Sequence, residues 1–179
     1  MKKIILFIFF NVPYLIHCQE KPIDLKYKQE TKLLLNYILK NYLETNTVIE
    51  KKASRVNIQD CPSTYESPIL YNNEKEYVVK CINNPKILYW QKEYFPNLKI
   101  IENEKIDSVF NNANNGWNEF HKSYGHSLTS FSSPIFLRNY QIAIIKFSIT
   151  SDSLAGYGFE AVFTKKDNDW VISACSWDD

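Results

Sequence analysis

Two histidines lie close together in the second half of the chain and are the first residues to consider for chemistry. The sequence Lys-Ser-Tyr-Gly separates His121 from His126. A zinc pair on a helix requires a spacing of three or four residues, and Gly125 ends the predicted helix before the second histidine, so we expect no metal site. A histidine beside a carboxylate can act as a general base. A small hydrolase that uses His121 or His126 with a carboxylate is therefore the alternative function.

Nucleophilic catalysis has less support in the sequence. The G-x-S-x-G turn of many serine hydrolases does not occur in the chain. Cys175 lies in a predicted strand, where burial disfavours the reactive thiolate. The G-x-G element from Gly156 to Gly158 is not followed by a helix, so we expect no dinucleotide and no other cofactor. These patterns favour a protein that is not an enzyme.

The most distinctive loop of the chain is the candidate binding site. Residues 151–158 hold two of the four glycines, and glycine allows a close approach of the backbone to a neighbour. One interpretation is a wide hairpin loop or a bulge at the start of a strand. The other is a loop that binds a small ligand or a partner protein through Leu154, Gly156, Tyr157 and Gly158. We expect the second role to require an exposed apolar or aromatic patch near Tyr157.

The first eighteen residues have the pattern of a secretory signal peptide. Lys2 and Lys3 precede an apolar run over residues 4–16. As a helix this run is about 20 Å long, which is too short for the roughly 30 Å core of a bilayer. We expect cleavage after Cys18, with no transmembrane span in the remainder. The other interpretation is a lipoprotein anchored through an acylated Cys18, although His17 stands where a small residue is usual.

Export would leave residues 19–179 as a single domain in the periplasm, on the cell surface or outside the cell. The full chain has 21 Lys and Arg against 20 Asp and Glu, and loss of Lys2 and Lys3 leaves a net charge of −1. That balance provides no electrostatic footprint for nucleic acid. A composition of 45% hydrophobic and 15% aromatic residues excludes a disordered chain.

An exported chain can also form disulfides. Cys61 and Cys81 are twenty residues apart in a loop-rich stretch, and a bridge between them would stabilise the fold by roughly 3 kcal/mol. Cys175 would then be unpaired. The other two pairings and three reduced thiols remain open.

Hydrophobic periodicity predicts an α+β fold to position these residues. An amphipathic N-terminal helix is expected near residues 24–44, with Asp24 as its cap and Leu34, Leu35 and Ile38 on its apolar face. Short central helices are predicted at Glu102–Phe110 and Trp117–Tyr124. Extended segments are predicted at Tyr77–Ile82 and Leu98–Ile101, and residues 86–95 fit either a short helix or a strand.

The C-terminal third predicts an antiparallel meander of about four strands. Alternating apolar and polar residues mark the strands, which we place at Leu128–Phe136, Gln141–Thr150, Tyr157–Lys165 and Trp170–Trp177. Turns are expected at Arg138-Asn139 and at the KDND sequence between the last two strands.

Residues 98–178 also contain a series of short motifs in a characteristic order. They include Lys99-Ile-Ile, Gly116-Trp117, Ser132-Ser-Pro-Ile-Phe136, Leu154-Ala-Gly-Tyr-Gly158, Trp170 and Trp177. In this order they resemble a family of small exported bacterial proteins with no assigned activity. The chain departs from that family where Ser133-Pro134 replaces an Arg and where Asp169 replaces a Gly. The resemblance implies a shared fold and export, and it supplies no catalytic residues.

Overall fold

The computed structural model describes residues 23–44, 46–56, 69–111 and 116–178 of the chain. The predicted signal segment, Cys18 and Cys61 lie outside the described residues. Four helices are described, α1 (Leu25–Tyr42), α2 (Asn72–Asn83), α3 (Asn103–Phe110) and α4 (Gly116–Ser123), together with a 3₁₀ turn at Lys92–Tyr94. The strands are β1 (Thr47–Glu50), β2 (Lys99–Ile101), β3 (Ser127–Phe131), β4 (Ile135–Leu137), β5 (Ile142–Thr150), β6 (Gly156–Lys166) and β7 (Asp169–Asp178).

The described strands form one mixed sheet of seven strands in the order β2-β1-β3-β5-β6-β7, with β4 beside the first half of β5. β1 runs parallel to both β2 and β3, whereas the strands from β3 onward pair in antiparallel fashion. The α+β class is therefore confirmed, but the prediction of about four strands is wrong. The extended segment predicted at Leu98–Ile101 is confirmed as β2, whereas β1 was not predicted, because its four residues are too few for a clear alternating pattern.

The segment Leu128–Phe136, predicted as one strand, is divided between β3 and β4. Phe131 lies opposite Phe147, and Ile135 lies opposite Ile144. Three residues (132–134) therefore separate β3 from β4, whereas only two residues of β5 (145–146) face them. Pro134 has no N–H for the ladder. The pairing of β5 is continued instead by Ser132, whose Oγ accepts from Lys146 N at 2.9 Å.

The predicted N-terminal helix is present as α1 and covers one face of the sheet. Asp24 caps it by accepting a hydrogen bond from Lys26 N at 3.3 Å. Leu34, Leu35 and Ile38 are buried, and they belong to a core that includes aromatic residues of β3, β5 and β6. Burying this apolar stripe, more than intrinsic propensity, stabilises the helix.

The opposite face of the sheet is covered by α2 and by the α3–α4 pair. Val78 of α2 packs on Ile135 and Ile144, so the extended segment predicted at Tyr77–Ile82 is wrong. Its β-branched residues suit a strand, but Glu74 accepts from Tyr71 N at 2.9 Å and closes the first helical turn. At the other end, Phe120 of α4 packs on Val48 and Ile101.

Residues 86–95 contain the short helix that was one of the two predicted alternatives, as a single 3₁₀ turn at Lys92–Tyr94. Tyr89 forms an isolated bridge with Lys52, and the 3₁₀ turn follows. Within the described ranges, no helix has both the length and the apolar character needed to cross a bilayer.

Candidate functional site

The two regions singled out in the sequence lie at the same end of the sheet. The parallel strands β1, β2 and β3 begin at this end, and β5, which is antiparallel to β3, ends there at Thr150. The residues 151–155 connect β5 to β6 as a hairpin loop. Nε2 of His121 lies 2.9 Å from the carbonyl oxygen of Ser151 and donates a hydrogen bond to it. The fold thus brings together His121, His126 and the loop, which sequence spacing alone does not connect.

A concavity of about 340 Å³ opens between α4 and the beginnings of β1, β2 and β3. Its lining includes Lys99, Lys122, His121 and His126, and we call it the basic concavity. None of the described residues that line it is Asp or Glu. A concave surface lined by potential cations and free of carboxylates favours anionic groups.

Lys99 lines the basic concavity beside the carboxyl end of α4. Its Nζ donates to the carbonyl oxygen of Ser123 at 3.0 Å and lies 4.4 Å from the centroid of the Tyr124 ring. A cation in this place compensates the unpaired carbonyls of the last helical turn. Lys122 lies in the same turn and adds to this effect.

Neither histidine is paired with an acidic side chain in the part of the chain that the structure describes. The exposed His121 ring packs 5.7 Å from the ring of Trp117 and 6.2 Å from that of His126. The backbone N of His126 donates to Asn46 O at 3.1 Å. The carboxylate of Glu119, on the same helix, accepts from Ser123 Oγ at 3.0 Å instead.

The loop between β5 and β6 is closed by its own hydrogen bonds. Ser151 N and Asp152 N donate to Ala155 O at 2.8 and 3.2 Å, and Ser153 N donates to the Asp152 carboxylate at 2.6 Å. The side chain of Leu154 is 99% exposed at the tip. The loop therefore presents an apolar side chain on a backbone that is already ordered.

Tyr157 extends this exposed apolar surface onto β6. Its ring is 41% exposed and lies edge-on to Phe159 at 5.4 Å. Its hydroxyl donates to Tyr42 O at 3.3 Å. Partial burial, assisted by the charge of Glu44, raises the pKa of Tyr157, so the hydroxyl stays protonated well above neutral pH. Leu154 and Tyr157 are thus both exposed, which is what the binding interpretation requires near Tyr157.

Glycine serves this end of the sheet by allowing close approach. None of the described glycines has a positive φ. A Cβ on Gly156 would lie 3.1 Å from Ile149 O, and a Cβ on Gly125 would lie 2.7 Å from Asn46 O. The β5–β6 register runs without interruption through Gly156 and Gly158, so the hairpin interpretation is confirmed and the bulge interpretation is wrong.

Other predicted sites are only partly covered by the structure. Cys81 is half-buried on α2 and forms no disulfide with another described residue. Cys61 and the side chain of Cys175 lie outside the described residues, so the pairing stays a prediction. The described residues contain no cluster of three or more His, Cys, Asp or Glu side chains placed to hold a metal ion.

Sequence reasoning missed Lys99 and Lys122 as parts of the site. Lys99 reaches the basic concavity because β2 pairs in parallel with β1, an arrangement that the short β2 sequence does not reveal. The one available signal was the basic last turn of the helix that contains His121.

Comparison with known proteins finds no match for this chain among protein-family models, curated proteins or solved structures. The resemblance of residues 98–178 to a family of exported proteins therefore stays a prediction.

Proposed function

We propose that this protein is an exported, non-enzymatic binding protein that holds an acidic segment of a partner protein in the basic concavity. The observation that carries the proposal is the lining of this concavity, where Lys99, Lys122, His121 and His126 meet with no carboxylate among the described lining residues. The full chain has a net charge of only +1. The positive character is thus local, which is the condition for selective capture of an anionic group.

The adjoining loop supports a partner larger than a single small anion. Leu154 is 99% exposed, and a partner would have to extend beyond the basic concavity to cover it. An acidic peptide with one apolar side chain would place its carboxylates near the lysines and its apolar group on Leu154. Burial of apolar surface would then contribute affinity, and the charges would determine which partner binds.

Within the described part of the chain no catalytic pair forms at the histidines, which favours binding over hydrolysis. A general base needs a proton to abstract and usually a group that orients it. His121 donates its Nε2 hydrogen to a backbone carbonyl, which is a structural contact. No carboxylate contacts either ring among the described residues.

The binding proposal is tested by titrating the ¹⁵N-labelled protein with the acidic peptide acetyl-Glu-Glu-Leu-Glu-Glu-amide. We expect the amide resonances of Lys99, Lys122 and Leu154 to shift. The substitution Lys122→Gln should weaken binding about threefold, and together with Lys99→Gln about tenfold, because each exposed charge contributes modestly.

Lys105→Gln is the matched control, since Lys105 is exposed on α3 and does not line the concavity. Equal affinity of all three variants, or equal binding of a peptide with Lys in place of Glu, would show that the proposal is wrong.

Export is supported by the signal pattern of residues 1–18 and is tested separately. The intact mass of the protein purified from its own host should correspond to residues 19–179, or to residues 18–179 with an acylated Cys18. A mass that includes Lys2 and Lys3 would contradict export through this segment.

A further inference from the structure

A second cavity lies at the opposite end of the sheet, where β5 begins. It has a volume of about 210 Å³, is partly open to solvent and is bordered by the start of α1, the end of α2, β4 and the turn before β5. Four aromatic rings contribute to its walls, those of Tyr27, Tyr77, Phe136 and Tyr140, and we call it the tyrosine-lined cavity. It shares no lining residue with the basic concavity.

The inner wall is held in place by buried hydrogen bonds. The hydroxyl of Tyr27 donates to Pro134 O at 2.7 Å and lies 3.0 Å from Ser133 Oγ. Ser133 Oγ also accepts from Ile87 N at 3.1 Å. Since Tyr27 is only 2% exposed and its ring meets Phe136 edge-on at 5.3 Å, this wall is already formed without a ligand.

The outer wall is built on an unusual stretch of backbone. Arg138, Asn139 and Tyr140 have positive φ values of 49°, 51° and 68°, a conformation that costs energy for residues other than glycine. Side chains hold it in place, because Arg138 forms two 2.8 Å contacts with Glu74 and Tyr140 donates to Asp24 at 3.1 Å. This conformation turns Asn139 and Tyr140 toward the cavity that they line.

Two ammonium groups lie on the tyrosine rings of this cavity. Lys86 Nζ is 4.3 Å from the centroid of Tyr27. Lys26 Nζ is 4.8 Å from that of Tyr140 and donates to Asn139 Oδ1 at 2.8 Å. One face of Tyr27 and one face of Tyr140 are therefore already occupied by cations of the chain itself, and a cationic ligand would meet like charge beside them.

The charge around the cavity favours an anion. None of the described lining residues is Asp or Glu. The nearby carboxylate of Asp24 is engaged by the hydroxyl of Tyr140. A ligand carboxylate near Lys86 would gain a charge-assisted hydrogen bond that a neutral ligand lacks.

The volume restricts the size of the ligand. An apolar cavity of about 150 Å³ accommodates a benzene ring, so about 210 Å³ accommodates one ring with a small polar substituent. We propose that the tyrosine-lined cavity binds a small aromatic carboxylate. Its ring packs against Tyr27, Phe136 and Tyr140, and its carboxylate faces the ammonium group of Lys86.

The proposal is tested by calorimetric titration of the protein purified from its host with benzoate, benzyl alcohol and benzylamine. We expect benzoate to bind at least about tenfold more tightly than the other two, because only benzoate forms the charge-assisted bond. The Lys86→Gln variant should bind benzoate about tenfold more weakly and benzyl alcohol unchanged. Lys80→Gln is the control, since Lys80 is an exposed lysine of α2 that does not line the cavity.

The place of binding is tested by chemical shifts, because the basic concavity could also attract benzoate. Bound benzoate should shift the amide resonances of Ser133, Ile135 and Tyr140 and leave those of residues 121–126, which line the basic concavity, unchanged. The proposal is overturned by shifts confined to the basic concavity, by equal affinity for benzoate and benzylamine, by an unaltered Lys86→Gln variant, or by no binding at millimolar benzoate.

Discussion

His121 and Ser151 are joined by a hydrogen bond of 2.9 Å from the imidazole Nε2 to the backbone carbonyl. A carbonyl oxygen can only accept, so the imidazole carries a hydrogen on Nε2 and a neutral ring leaves Nδ1 as an acceptor. The bond connects α4 to the loop between β5 and β6, and it is the one direct contact described between the predicted histidine region and the predicted loop.

Replacing His121 by Ala should loosen that loop with little change in global stability. One exposed hydrogen bond contributes about 1 kcal/mol or less to the free energy of unfolding. We expect faster hydrogen exchange at the amides of Ser151 and Ala155, which donate bonds within the loop. His126→Ala serves as the control, and equal exchange in both variants would mean that the His121 bond does not order the loop.

Replacing Gly125 by Ala should destabilise the protein. The added Cβ would lie 2.7 Å from both Asn46 O and Val48 Cγ2, and relieving such overlap costs about 1–3 kcal/mol. Urea denaturation measures this loss. Gly156→Ala is the matched comparison because its nearest contact is 3.1 Å, and a larger loss at Gly156 than at Gly125 would contradict the prediction.

The bidentate contact of Arg138 with Glu74 predicts a pH dependence. The hydrogen bonds from Arg138 lower the pKa of Glu74 below its ordinary value of 4.5. A lowered pKa in the folded state provides stability above the unfolded pKa, and this stability is lost as the pH falls through the folded value. Since Arg138 is about one-third exposed, the contribution at pH 7 should be about 1 kcal/mol or less.

This dependence is measured by comparing Glu74→Gln with the unaltered protein in urea at pH 7 and pH 3. The difference in the free energy of unfolding should be present at pH 7 and should be smaller at pH 3, because Glu74 is protonated as the pH falls through its folded pKa. Glu76→Gln, on the exposed side of α2, should show no such change. A difference that grows toward pH 3 would have the wrong sign for this mechanism.

Replacing Tyr27 by Phe should destabilise the fold by about 1–3 kcal/mol at pH 7, because Ser133 Oγ and Pro134 O lose a buried partner. Burial also raises the pKa of Tyr27 above its ordinary value of 10.0. A raised pKa provides stability below the unfolded value that is lost as the pH rises toward the folded value. The difference in the free energy of unfolding between the unaltered protein and Tyr27→Phe should therefore become smaller above about pH 10.

The measurement for Tyr27 is the midpoint of urea unfolding from pH 7 to pH 11. Tyr89→Phe is the control because Tyr89 is 57% exposed. Other tyrosines with raised pKa values, such as Tyr140 and Tyr157, are present in both proteins and cancel. If the difference in unfolding midpoint stayed constant from pH 7 to pH 11, the predicted contribution of the raised Tyr27 pKa would be wrong, and the lost hydrogen bonds would account for the whole destabilisation.

Hydrophobic periodicity was sufficient to predict the long helix and the long strands. The helix at Leu25–Tyr42 and the strands from Ile142 onward follow periodicity, because each has at least nine residues and one apolar face. β1 has four residues and no such signal. The helix at Asn72–Asn83 was predicted in part as a strand because Val78 and Val79 have β propensity, and tertiary packing of Val78 prevails.

The candidate site shows the same division. Leu154, Tyr157 and the histidines were identified from residue type and loop composition, but their proximity depends on the pairing of β3 with β5. Lys99 and Lys86 had no distinguishing pattern, since a single lysine in a lysine-rich chain carries no positional information. The tyrosine-lined cavity depends on the positive φ values of residues 138–140, which alternation of apolar residues does not predict.

The position of β1 between two parallel neighbours has a consequence for the order of folding. Val48 lies opposite both Lys99 and Leu128, so β1 can complete its pairing only after long stretches of chain have been closed into loops. The hairpins of β5, β6 and β7 involve neighbouring residues and close rapidly. We therefore expect the C-terminal hairpins to fold first and to provide the edge onto which β3 and then β1 are added. β1 is synthesised before the other strands of the sheet, but it would be among the last to pair.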